Sequence, residues 1–242
     1  MTRAFVLLII SFFFMSTAVK AEINENTLRE IDQLIEVGDY QRALEKHIWF
    51  HEASRESPGM GGVRLSYALS SWVELGELYP VALFELRKLR DNYKTVLLAG
   101  HGTFNDFHDL SSINRVLKES DQTVELFRYL DKKYPEQAKQ YHAVTEPHLM
   151  ALKEYELIAK YIGDPVFKYE SLRHLRELNI NMAKSYPELN DPDHLRYADK
   201  AYITGVLNLL EVLTALDRSD DKRRVLYRAS NYFGYDTITE HY

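Results

Sequence analysis

The sequence predicts an all-α fold built as a chain of antiparallel helical hairpins. Three observations carry that expectation: apolar residues recur at helical spacing, no window sustains the alternation of a strand, and glycine and proline are scarce. Ten Gly and seven Pro among 242 residues make about 7% of the chain, against roughly 12% in average usage. That deficit suits long helices better than many tight turns. With 45% apolar and 27% charged residues, the composition belongs to a folded protein rather than a disordered one.

At the N terminus, Met1, Thr2 and Arg3 form a short positive start, residues 4–15 are an apolar run, and Ser16, Thr17 and Ala18 are small. This is the pattern of a secretory signal peptide over residues 1–21, cleaved after Ala21, with Ala18 as the other candidate position. The run falls short of the roughly 20 residues that span a bilayer, so cleavage is expected, with no stable membrane insertion afterwards. The chain has no cysteine, which excludes disulfides, thiolate zinc sites, a cysteine nucleophile and a lipid anchor. The expected address is the periplasm, with residues 22–242 as one α-helical domain and a subsidiary boundary near residue 163. Formal charge is −6. Loss of Arg3 and Lys20 leaves 28 Lys and Arg against 36 acids, or −8, a balance that argues against nucleic acid.

Through the mature chain, Leu65, Ala68, Leu69, Trp72 and Val73 follow the spacing of one helical face. The template returns at Tyr155, Ile158, Ala159 and Ile162, and again from Ala198 through Ala201, Tyr202, Val206, Leu209, Val212 and Leu213 to Leu216. Gly38, residues 58–62, 76–80 and 100–102, Pro135, Pro147, residues 163–165, Pro187 and Pro192 are read as punctuation between such segments. Only Gly205 falls inside one, where a missing side chain admits a close helix crossing. These marks divide the chain into eight to ten helices with short connections. Residues 57–62 and 95–109 are read as its least helical stretches, and Gly163-Asp164-Pro165 as the close of one helix and the start of another.

The segment Glu36-Val37-Gly38-Asp39-Tyr40-Gln41-Arg42-Ala43-Leu44-Glu45 resembles the turn and second helix of a tetratricopeptide repeat. Weaker echoes lie at Leu75-Gly76 with Ala82-Leu83, at Ser120-Asp121 with Val124 and Phe127, and from Leu216 to Lys222 with Val225. Tyr79-Pro80, Tyr134-Pro135 and Tyr186-Pro187 recur at spacings of 55 and 52 residues, consistent with a two-hairpin unit. The chain is also similar to exported bacterial helical-repeat proteins of unknown function, around Trp49-Phe50-His51-Glu52, Val63-Arg64-Leu65-Ser66 and Trp72-Val73-Glu74-Leu75-Gly76. The tetratricopeptide-like resemblance implies a right-handed superhelix of stacked hairpins, a degenerate solenoid whose concave side holds a peptide or protein partner.

On that basis the expected function is a binding or scaffold protein of the cell envelope, without catalysis and without a cofactor. Its expected partner contacts are Trp49, Arg64, Trp72 and Glu74, with His51 as a polar contact. Aromatic rings gain affinity at low entropic cost. Trp72 lies on an apolar stripe, which favours core packing, whereas Trp49 lies off the face that carries Ala43 and Leu44 and suits a ligand or the next hairpin equally.

The alternative is a metal-dependent hydrolase of the envelope using His47, His51, His101 and His108. His47 and His51 stand at i and i+4, a metal-ligand spacing. However, Ile48 follows His47 where zinc proteases carry a glutamate, and His47 is in register with Tyr40, Ala43 and Leu44, which reads as packing. His101, Asp106, His108 and Asp109 form a second cluster able to share a cation. No Gly-x-Ser-x-Gly elbow is present, and the glycine-rich residues 57–62 lack the Gly-Lys-Ser/Thr that holds phosphates. Arg218, Lys222, Arg223, Arg224 and Arg228 make a basic patch near the C terminus. It suits an acidic partner or anionic headgroups, or else a solvated face in which Asp220 and Asp221 pair with Arg224 and with Lys222 or Arg223 along the helix.

Overall fold

The computed structural model describes residues 25–57, 59–185, 191–234 and 238, and these are helical throughout, with no strand among them. The helices are α1 (Glu25–Glu36), α2 (Tyr40–Ala53), α3 (Gly61–Leu65), α4 (Tyr67–Leu78), α5 (Pro80–Leu98) and α6 (Phe104–Val116). They continue with α7 (Ser120–Lys133), α8 (Pro135–Ala151), α9 (Tyr155–Ile162), α10 (Pro165–Ser185), α11 (Pro192–Ala215) and α12 (Ser219–Phe233). Residues 1–21, expected as a signal peptide, lie outside the described residues, as do Pro58, Tyr186-Pro187 and Tyr235. No helix among the described residues is long and apolar enough to cross a membrane.

The chain divides into two compact units, one ending at Ser71 and one beginning at Trp72. In the first, α1 packs against α2, and Leu28, Ile31, Ala43, Leu44 and Phe50 are buried. In the second, neighbouring helices pack pairwise and often reach one element further: α5 meets α6 and α7, α6 meets α7 and α8, and α10 meets α11 and α12. A single hydrophobic cluster runs from Leu97 to Ile238. Near its start Phe107 stacks on Tyr141 at 4.6 Å between ring centroids, and near its end Tyr202 meets Tyr169, Tyr232 and Phe233.

Two kinds of turn recur. In the first, a residue of positive φ closes one helix and the next residue is already the N-cap of the following helix. Gly38, Lys118, Lys153 and Asp217 take that role at φ 78°, 61°, 57° and 53°, followed by Asp39, Glu119, Glu154 and Arg218. Each N-cap amide donates to the carbonyl five residues back, at 2.9, 2.8, 2.9 and 2.9 Å, the double-bonded closure that satisfies a helix's last carbonyls. Three of the four use a side-chain-bearing residue where glycine is favoured. In the second kind a single tyrosine separates two helices and a proline opens the next. Tyr79 and Tyr134 each donate their amide to the carbonyl four residues back at 2.7 Å, and Pro80 and Pro135 supply no amide at a position that needs none.

The interval 95–109, expected as irregular, is helical except for residues 99–103. α5 continues to Leu98, and Thr103 starts α6 through a reciprocal capping box with Asp106. Gly76, expected as punctuation, lies inside α4, where a Cβ would come 2.3 Å from Leu83. Pro147 lies inside α8 rather than between helices, so the ring removes the amide that would reach the Ala143 carbonyl. Gly205 sits within α11 at a close crossing, with a built Cβ 2.6 Å from Leu172 on α10. Twelve helices rather than eight to ten occupy the described residues, the glycine-rich stretch ending in the five-residue α3.

Candidate functional site

In the first unit, α2 turns His47 and His51 inward, because both follow Ala43 and Leu44 around the buried face of that helix. His51 Nε2 lies 3.2 Å from Arg64 Nη1, and both side chains are buried. A guanidinium carries only donors, so Nε2 of His51 accepts and the ring is the neutral tautomer protonated on Nδ1. Burial, reinforced by the positive charges of Arg64 and Arg55, lowers the His51 pKa to about 3. His47 Nε2 lies 3.4 Å from Ser71 Oγ, which in turn donates to Asp32 Oδ1 at 3.5 Å. Asp32 also accepts from the Tyr67 hydroxyl at 2.9 Å. Because the serine proton points to the carboxylate, His47 donates from Nε2, and burial lowers its pKa to about 4.

This arrangement redefines several expected contacts. His51 and Arg64, expected as partner contacts, are both buried and meet one another inside the unit. Trp72 is 1% exposed and donates its indole N–H to the Ala82 carbonyl at 3.0 Å, so it is a core residue at the α4–α5 turn and not a ligand contact. Trp49, 38% exposed, and Glu74 stand at the surface, the first on α2 and the second on α4.

The residues expected as metal ligands lie in separate settings. On His51 the lone pair a cation would take faces Arg64. His101 is exposed in the 99–103 loop, and His108 on α6 lies against Phe104 at 5.6 Å between ring centroids. Asp106 spends its carboxylate on the Thr103 amide and hydroxyl at 2.8 Å each, while Asp109 is fully buried on α6. Among the described residues, no group of three or more His, Asp or Glu side chains is placed to hold a metal ion.

The C-terminal basic patch has a structure that its sequence did not disclose. Asp220 pairs with Arg223 at i, i+3, as expected from helix spacing, and Asp221 pairs with Arg218 at 2.7 Å, a partner the sequence reading did not name. Arg224 reaches Asp164 and Asp221 only at 3.7 and 3.8 Å. Arg224, Tyr227, Arg228 and Asn231 occupy one face of α12 at i, i+3, i+4 and i+7. They face Tyr169, Glu170 and Arg173 of α10 across a cleft of about 620 Å³. Glu170 accepts from Arg173 at 2.9 Å and from Arg228 at 3.3 Å. The α10 wall was missed because its charges alternate along the helix as an ordinary solvated face does, and only the pairing of α10 with α12 gathers the arginines.

Further along α10, Leu175, Leu178 and Met182 are 56%, 44% and 47% exposed and lie at i, i+3 and i+7, an apolar stripe on the surface. Comparison with protein-family models, with curated proteins and with solved structures yields no match for this chain.

Proposed function

We propose that this chain is an exported helical-repeat binding or scaffold protein, which acts in the cell envelope by holding a protein or peptide partner rather than by catalysis. The observation that carries this reading is the exposed stripe of Leu175, Leu178 and Met182 on α10. Isolated apolar side chains are ordinary on a protein surface, but three at helical spacing make a seam that water solvates poorly. The two recurring turn types support a repeat-like stack of hairpins, and a right-handed superhelix is the arrangement proposed for it. Trp49 and Glu74 are retained as surface contacts.

The test is gentle crosslinking of the tagged, full-length protein in its native cell, with captured proteins, metal content and the mature N terminus read from one sample. The expected result is a stoichiometric protein partner that is lost from Leu178→Arg, a mature chain beginning at Glu22, and no metal. Near-equimolar zinc or manganese without a protein partner would overturn the reading in favour of metal chemistry.

A further inference from the structure

The α10–α12 cleft combines features that a solvated charged face does not require. Three guanidinium groups, Arg173, Arg224 and Arg228, converge on it, with one carboxylate, Glu170, inside. The lining thus carries three cations against one carboxylate on a chain whose formal charge is −6, while Glu177, Asp164 and Asp221 pair with Arg173 and Arg224 from outside the lining. Glu170 already shows what the cleft recognises, since its two oxygens each receive a guanidinium donor from a different helix. Arg173 uses Nε on that internal carboxylate and Nη1 on Glu177 at 3.5 Å, Arg228 uses one nitrogen on Glu170, and Arg224 is held only at ion-pair distance. A guanidinium presents its donors as a planar fork that matches a second carboxylate.

The remaining lining indicates how that carboxylate would be carried. Tyr227 exposes most of its ring, and Asn231, exposed one turn further along α12, offers a donor and an acceptor together, the pair that a peptide group satisfies. From Arg224 to Asn231 the wall runs two helical turns, about 10 Å, which is the reach of about three residues of extended chain. We propose that the cleft between α10 and α12 binds an acidic peptide segment, with Arg173, Arg224 and Arg228 holding carboxylates, Asn231 the backbone and Tyr227 an intervening apolar side chain. The inference rests on the reading of the chain as a binding protein and gives that partner its chemistry.

Fluorescence anisotropy on the full chain tests it, using a labelled decapeptide of alternating Glu and Leu and the same peptide with Gln for Glu. The acidic peptide should bind and the neutral one should not. The double variant R224Q and R228Q should raise Kd by about tenfold or more, with an unchanged thermal midpoint as the control for folding. Glu170→Gln should tighten binding severalfold, because it removes the internal competitor. No binding of the acidic peptide, equal binding of both peptides, or an acidic-peptide Kd unmoved by the double variant would overturn the proposal. So would displacement by inorganic phosphate at comparable affinity, or binding of phosphatidylglycerol vesicles with no peptide bound. A partner captured in cells whose contacts lie at Leu178 and not at the arginines would sink this inference and leave the binding reading standing.

Discussion

Arg64 donates to Nε2 of His51 across 3.2 Å although the two residues lie on different helices, α3 and α2. The pair fixes the tautomer of a buried imidazole and gives a buried guanidinium a neutral partner. An ionised histidine at that position would place two positive charges in contact within a water-poor interior.

The first prediction is therefore a pH dependence. In the folded chain His51 and His47 titrate at about 3 and about 4, against 6.5 when exposed. Between those values the unfolded chain binds more protons than the folded one, so stability is full above pH 6.5 and falls as pH is lowered toward 4 and 3. His51 alone accounts for up to about 2 kcal/mol of that loss between pH 6.5 and 5. Urea denaturation at pH 7 and pH 5 should show a smaller pH difference for His51→Gln than for the wild type, and an equal difference would refute the assignment.

The two tryptophans should behave oppositely. Trp72 is enclosed and bonded to the Ala82 carbonyl, so Trp72→Ala should cost about 3–5 kcal/mol. Trp49 stands half in solvent, and Trp49→Ala should cost no more than about 1 kcal/mol of stability. Denaturant midpoints of the two variants measure this directly, and comparable losses would show that Trp49 is also core.

At Gly100 a positive φ of 78° coincides with a close approach, since a Cβ would lie 2.7 Å from the Tyr134 ring. The same loop is held from α8 by Gln137, which donates to the Gly100 carbonyl at 2.8 Å, and by Tyr141, which donates to that of Gly102 at 2.8 Å. Gly100→Ala combines a left-handed backbone penalty with overpacking, and a loss of about 2–4 kcal/mol is expected in thermal or urea melts. A loss below about 0.5 kcal/mol would mean that the ring moves aside without cost.

Lys153 presents the reverse case. Its φ of 57° is one that a side chain disfavours, so Lys153→Gly should stabilise the protein by about 0.5–1 kcal/mol despite glycine's greater freedom when unfolded. A rise of a few degrees in the thermal midpoint is the expected readout, and a fall would point to a role for the lysine side chain itself.

Much of the helical layout was legible from local chemistry. Gly38-Asp39, Tyr79-Pro80, Tyr134-Pro135 and Gly163-Asp164-Pro165 all mark helix ends where backbone rules put them. Two signals were misread because local and tertiary causes share the same letters. Gly76 marks a helix crossing rather than a turn, and His101 to Asp109 hold a helix start whose Thr103 and Asp106 carry the capping signature. Packing of His47 followed from its register with Ala43 and Leu44. By contrast, the partner of His51 lies thirteen residues along the chain and the arginines of the cleft lie about fifty apart, Arg173 from Arg224. No periodicity reports such distances, which depend on how hairpins fold back.

The shared turns also constrain how the molecule comes into being. Where one residue ends a helix and its successor begins the next, as at Lys118-Glu119 and Lys153-Glu154, there is almost no slack for a hairpin to close upon. Each helix then finds its neighbour within a few residues, and the entropic toll of bringing distant segments together is small. Assembly should therefore be quick and progressive, with the register of each pair inherited from the one beside it. A lesion in a longer connection, such as Gly100→Ala in the 99–103 loop, should slow the pairing of α5 with α6 while leaving α11 and α12 free to form at their own rate.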